Sequence, residues 1–155
     1  MARIGDCVSR LTEEQVWARG SKNENAVGNL MLHLAGNVRQ WIISGVGGAP
    51  DTRRRETEFA AEGGVTAEEM LGRLRETVGE ACAVIASLDE PRLAEQRRIQ
   101  GYDVSVLEAV FHVVEHFAMH TGQILFATKM VTGEDLGYYR HLNPGEAKAH
   151  GKQTP

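Results

Sequence analysis

The stretch Phe111-His112-Val113-Val114-Glu115-His116-Phe117-Ala118-Met119-His120-Thr121-Gly122-Gln123-Ile124 sets three histidines at four-residue intervals. Each such step on an α-helix turns about 40° past a full revolution, so the three imidazoles form one slanted row. Neighbours in the row have Cβ atoms about 5–6 Å apart, and two of them can meet on one cation at about 2.0–2.1 Å per nitrogen. A straight helix does not easily bring all three to one ion, so a further ligand has to come from another helix. Spacing leaves His112, His116 and His120 equally eligible. The donor from elsewhere is His33, at the border of an apolar stripe beside Leu30 and one turn before Asn37. The competing use of such a row is a pH switch, which needs protonation and no metal.

The helix that carries the row is marked at its start by Ser105 and Glu108, a capping box, and runs to about Met130, ending near Thr132-Gly133. A second long helix is predicted from Asn25 to about Ser44. Val27, Leu30, Met31, Leu34, Val38, Trp41 and Ile42 recur there at three- and four-residue steps, and Gly45, Gly47, Gly48 and Pro50 stop it. Thr66 and Glu69 begin a third, with Met70, Leu71, Leu74, Val78, Ala81, Cys82 and Ile85 on one face and Asp89-Glu90-Pro91 at its end. Ala2 to Leu11 reads as a short opening helix, with Thr12-Glu13-Glu14-Gln15 restarting a turn. Asp51 to Gly64 reads as a polar connection, Arg92 to Asp103 as a connector in which Arg98 to Tyr102 can be extended, and the tail from about residue 137 as irregular. One all-α domain over residues 1–155, a four-helix bundle with a short first helix, accommodates these segments most simply.

The chain has 155 residues, 42% hydrophobic and 25% charged, an ordinary balance for a chain with one packed core. A net charge of −4 argues against nucleic acid as the main partner. No stretch reaches the roughly 20 apolar residues of a membrane span, and no secretory signal is visible. Cys7 and Cys82 show neither metal nor redox spacing, and together these features predict a cytoplasmic protein with free thiols.

The row of histidines resembles the last-helix signature of the DinB-like (damage-inducible protein B) superfamily, an H-x-x-x-H followed by Gly-Gln. Asn25-Ala26-Val27-Gly28-Asn29-Leu30-Met31-Leu32-His33-Leu34-Ala35-Gly36-Asn37 is similar to its second-helix signature. The match is nearest to a branch of that superfamily that also carries an arginine-rich stretch ending in Glu-Phe, here Arg53 to Phe59, although Arg53-Arg54-Arg55-Glu56 stands where the branch tends to have an Arg-Asp pair. The resemblance implies a four-helix bundle of up-down-down-up type, often a homodimer. It also implies a divalent ion, zinc or nickel, on His33, His116 and His120, with His112 one turn away beside the site. Relatives include metal-dependent enzymes that use small thiols (bacillithiol, mycothiol or glutathione) as co-substrates.

Three neutral imidazoles leave a coordination position open and do not cancel the charge of the ion, so a bound water or thiol loses its proton more readily. The expectation is therefore a metal-dependent transferase or hydrolase activating a small thiol or water. The alternative is a non-catalytic metal-binding structural, stress-response or sensor protein. Asn37 and Gln123 are placed to orient a ligand or substrate, or else serve as interhelix amides. The Arg53–Arg55 run reads as a solvated loop, with an anion clamp as its functional alternative. Trp17, Trp41, Phe111 and Phe117 read as core packing. Tyr102, Tyr138 and Tyr139 have no spacing that ties them to the site.

Overall fold

The computed structural model describes residues 1–142. The chain opens with α1 (Ala2–Ser9) and the short α2 (Glu13–Trp17), which Thr12 starts through a capping box with Gln15. Helix α3 (Val27–Val38) continues directly into a wide-turn π segment, Arg39–Val46. The expected single helix from Asn25 to Ser44 is thus one rod whose second half is wound differently. There the Gly47 N–H reaches the Ile42 carbonyl at 2.8 Å, a five-residue closure that widens the turn. Gly45 in this segment receives Ile99 from across the core; a Cβ at Gly45 would lie 2.8 Å from Ile99 Cγ1.

Three connections hold more structure than the sequence pattern predicts. Residues Arg55–Ala60 form helix α4 within the stretch expected to be a polar connection. Helix α5 (Ala67–Ala86) follows the Thr66–Glu69 capping box, and α6 (Glu90–Leu93) starts at the point where Pro91 was expected only to end a helix. Proline suits a first helical turn, because its missing N–H has no intrahelical partner there. Strands β1 (Gln96–Ile99) and β2 (Tyr102–Ser105) pair antiparallel, with Gln96 opposite Ser105 and Ile99 opposite Tyr102. Gln100 and Gly101, with φ of 52° and 85°, supply the two left-handed residues of a tight hairpin loop. Among the described residues the protein is therefore mostly helical, in keeping with an all-α class, and carries one small two-stranded sheet.

Helix α7 (Val106–Thr132) begins at the expected Ser105–Glu108 box and is closed by Gly133 at φ 69°. Beyond it Leu136 is buried and Tyr138 packs beside α1, its hydroxyl 2.5 Å from Asp6 Oδ2; a single 3₁₀ turn covers Arg140–Leu142. The expected irregular tail is thus partly built against α1, and residues 143–155 lie outside the described part. Among the described residues, no helix is long and apolar enough to cross a membrane.

Helix α3 packs on α5 and α7, and α1 packs on α7. One core joins Ile4, Met31, Leu34, Met70, Leu74 and Ile124; the other joins Trp41, Ile42, Ile43, Ile99, Val106 and Ala109; Phe117 touches both. Trp17 and Trp41 pack as expected, but Phe111 is 66% exposed, because it lies on the outer face of α7. Leu74 is fully buried on α5, so Leu74→Ala is expected to lower unfolding free energy by about 2–5 kcal/mol in urea titration. A change below about 1 kcal/mol would show this core to be loosely packed.

Candidate metal centre

His33 projects from the middle of α3, and His116 and His120 from one face of α7. One ring nitrogen of each lies within 4.8 Å of the other two. His33 Nε2 and His116 Nε2 are 2.9 Å apart. Two nitrogens on a tetrahedral ion with bonds of 2.0–2.1 Å stand about 3.3 Å apart, so the side chains need to spread by only about 0.4 Å. The rings approach edgewise, His116 and His120 at 80° and His33 and His120 at 87°, an arrangement that aims lone pairs inward rather than stacking faces.

Two of the three imidazoles are oriented from behind. His33 Nδ1 is 2.9 Å from Glu58 Oε2, and a carboxylate only accepts, so Nδ1 donates and Nε2 keeps its lone pair. Arg53 holds the same carboxylate with a fork, Nε to Oε1 at 2.7 Å and Nη2 to Oε2 at 2.8 Å. On the other side His120 Nδ1 donates to Gln123 Oε1 at 2.6 Å, which frees its Nε2. Histidines that ligate metals are held in this way, by a carboxylate or carbonyl on the second nitrogen.

The backbone around Glu58 explains how a residue 25 positions from His33 reaches it. Asn29, fully buried one turn before His33, donates to the Glu58 and Ala61 carbonyls at 2.9 and 2.8 Å and so pins α4 to α3. Gly36, one turn beyond on the same helix, leaves the space for Arg53 and Glu58. A Cβ there would overlap Glu58 Oε1 and lie 2.9 Å from Arg53 Nε. Phe59 closes the flank of His33 at 4.7 Å between ring centres, and Arg55 covers Phe59.

The arginine run is therefore only partly solvated: Arg54 and Arg55 are exposed, as a solvated loop implies, and Arg53 is not. The Arg53 side chain is 4% exposed, and the anion it clamps is Glu58 of its own chain. Glu58 itself escaped the sequence reading because no local spacing marks it; the one signal was the Glu-Phe ending of the arginine-rich stretch. Gln123 stands where an orienting residue was expected. His112 and Asn37 do not touch the three histidines' converging nitrogens. His112 lies against Trp41, 3.9 Å between ring centres, and 5.3 Å from the His116 ring. Asn37 Nδ2 is 3.5 Å from His112 Nε2, and its buried Oδ1 has no partner among the described residues. Tyr102 stacks towards Trp41 and Tyr138 faces Asp6, both away from the cluster.

Burial lowers the affinity of the α7 histidines for protons. It pushes His116 down to about 4, with the neighbouring His120, His33, His112 and Arg53 adding to the effect. Burial also lowers His112 and His120, against the opposing bond from Gln123 to the latter. Burial on its own would raise Glu58, but the bonds and charges of Arg53 and His33 outweigh it and hold the carboxyl below its ordinary range. At neutral pH His116 and His120 are thus neutral imidazoles beside an ionised Glu58 carboxylate, and neutral imidazole is the form that ligates a metal.

A groove of about 950 Å³ lies alongside, between the segment after α2 and the second half of α7. Gln123 is in its wall, and none of the three histidines is.

Residues 2–141 match the family described as "Protein of unknown function (DUF1572)". The chain is also similar in structure to a conserved protein from Enterococcus faecalis solved by crystallography. The TM-score is 0.73 at 14% identity, covering 86% of this chain and 91% of that one, and the likeness is one of fold. No curated protein matches.

Stability should follow the histidines. In the unfolded chain His116 titrates near 6.5, in the folded metal-free protein near 4. Between these values the unfolded chain binds the proton first, so stability is complete above the upper value and falls as pH drops towards the lower one. Glu58, lowered on folding, extends the loss in the same direction. Urea midpoints of metal-free protein should be lower at about pH 4.5 than at about pH 7.5, and His116→Gln should flatten part of the difference. Equal midpoints would contradict the burial of these groups.

Proposed function

This chain belongs to the DUF1572 family, and we propose that it is a divalent-metal-binding protein whose ion sits on His33, His116 and His120. The observation that carries the reading is the pair of outer hydrogen bonds, Glu58 to His33 Nδ1 and Gln123 to His120 Nδ1. Both leave Nε2 facing a common point, which burial of unrelated imidazoles does not require. Zinc and nickel both suit the donor set. The fold we infer is the four-helix bundle of the DinB-like superfamily, with α1, α3, α5 and α7 as its helices. Exposed Leu107, Phe111 and Val114 on the first half of α7 support a homodimer through that surface.

Three protein ligands leave a position for water or a small thiol, whose proton the ion makes easier to lose. The reading is a metal-dependent transferase or hydrolase that activates such a nucleophile. One observation favours a second reading, a metal that stabilises the fold or serves a sensor. His33 and His120 are 4% and 8% exposed, and neither lines the groove. In that case loading should raise the melting temperature without creating turnover of any electrophile.

Elemental analysis of the purified protein tests the site. Wild type is expected to hold about one ion per chain and His116→Ala almost none. Glu58→Gln, which keeps the shape and removes the charge, should bind about 10–100-fold more weakly in competition with a chelator. Equal metal content in wild type and His116→Ala would overturn the assignment.

A further inference from the structure

The groove beside α7 has the size of a small-molecule site, about 950 Å³ against a usual range of roughly 300–1,000 Å³. Its apolar wall is formed by Leu30 with Met119, Phe126 and Met130, the last three 52%, 67% and 69% exposed. Arg19 lines the same groove. That guanidinium is anchored through Nη2 alone, to Asn29 Oδ1 at 2.9 Å and to the Phe59 and Ala61 carbonyls at 3.0 and 2.8 Å. Nε and Nη1 have no acceptor among the described residues.

The N-terminus of α3 adds to this positive charge. Asn25 and Val27 line the groove, Ala26 offers no capping side chain, and the first turn of α3 contains no acidic residue. The N–H groups there carry a partial positive charge, and only the Ala26 N–H is taken within the turn, by Asn29 Oδ1 at 3.0 Å. Glu24 also borders the groove, its carboxylate accepting the Gly20 N–H at 2.9 Å, and so opposes a ligand with more than one negative charge. A guanidinium anchored through one nitrogen, in the wall of an apolar trough, matches one chemistry.

We propose that this groove binds a small amphipathic carboxylate, its charge on Arg19 and its apolar body along Leu30, Met119, Phe126 and Met130. The site stands apart from the metal and needs no ion, although Gln123 forms part of both surroundings.

Octanoate is a suitable probe, read on methyl-labelled methionines of the metal-free protein by NMR. Met119 and Met130 resonances should move with octanoate while that of buried Met70 stays in place, with a Kd of about 1 mM or tighter. Octan-1-ol and octyl phosphate should bind at least about tenfold more weakly. Arg19 also anchors α4, so the substitutions that decide the matter are on exposed Phe126. Phe126→Glu should weaken octanoate at least about tenfold, and Phe126→Lys, which loses the same apolar contact but adds an attractive charge, should weaken it clearly less. Equal binding of octanoate and octan-1-ol, or equal effects of the two Phe126 variants, would overturn the proposal. So would methyl shifts that follow protein concentration and not octanoate, the sign of a second copy covering the groove. Chelated protein is used throughout, so a failure of the histidines to take metal leaves the outcome readable.

Discussion

The ion pair of Arg53 and Glu58 under His33 is the interaction on which the site rests. Removing two charges from water costs several kcal/mol per ion unless geometry recovers it. Here the guanidinium meets the carboxylate with a two-point fork, and the imidazole N–H takes a third contact. The pair requires a helix, α4, to lie flat on α3. Asn29 holds that helix by its carbonyls, and Gly36 gives the carboxylate room. Without either, Glu58 would sit away from the histidine and leave Arg53 buried without its partner. The buried pair is thus better explained as a device for placing one ring than as a source of stability.

That placement has a chemical consequence. A neutral imidazole has one donor and one acceptor nitrogen, and the group behind it decides which is which. Glu58 and Gln123 make the decision for His33 and His120. His116 has the most room to adapt: it is half-buried, and its Nε2 faces that of His33 at 2.9 Å. In the metal-free protein one of these two nitrogens must carry a proton for that contact to be favourable, and His33 has already placed its proton on Nδ1. The shared proton therefore belongs to His116. For His116 Nε2 to hold an ion, this proton would have to move to Nδ1 of the same ring, whereas the outer bonds of His33 and His120 already leave their Nε2 atoms free.

Much of this was legible in the sequence, and the reasons differ by residue. Ser105–Glu108 and Thr66–Glu69 are local signals, and both capping boxes stand where the spacing puts them. The histidine row is likewise local, since four-residue spacing on a helix is geometry and nothing more. Glu58 is a different case: its partners lie on α3 and its own helix has six residues, too few for a hydrophobic period to show. The wide turn after α3 also left no trace, because its apolar residues satisfy an α-helical stripe as well as a π one. Gln100-Gly101 is a tight-turn pair whose first residue is uncommon there, so the hairpin read only as an extended connector. Phe111 shows the opposite error. Its chemistry says core, yet its position on α7 points it outward.

The separation of His112 from the other histidines follows from the pitch of α7. A row at four-residue spacing drifts about 40° per step, so its members cannot all share one neighbour over the roughly two turns from His112 to His120. His120 looks at His33 and Gln123, and His116 sits between. By His112 the row has turned enough to meet the π segment, where Trp41 covers the ring. Together the row and the π segment put an aromatic face against the one histidine of the row that helix geometry keeps away from the converging nitrogens.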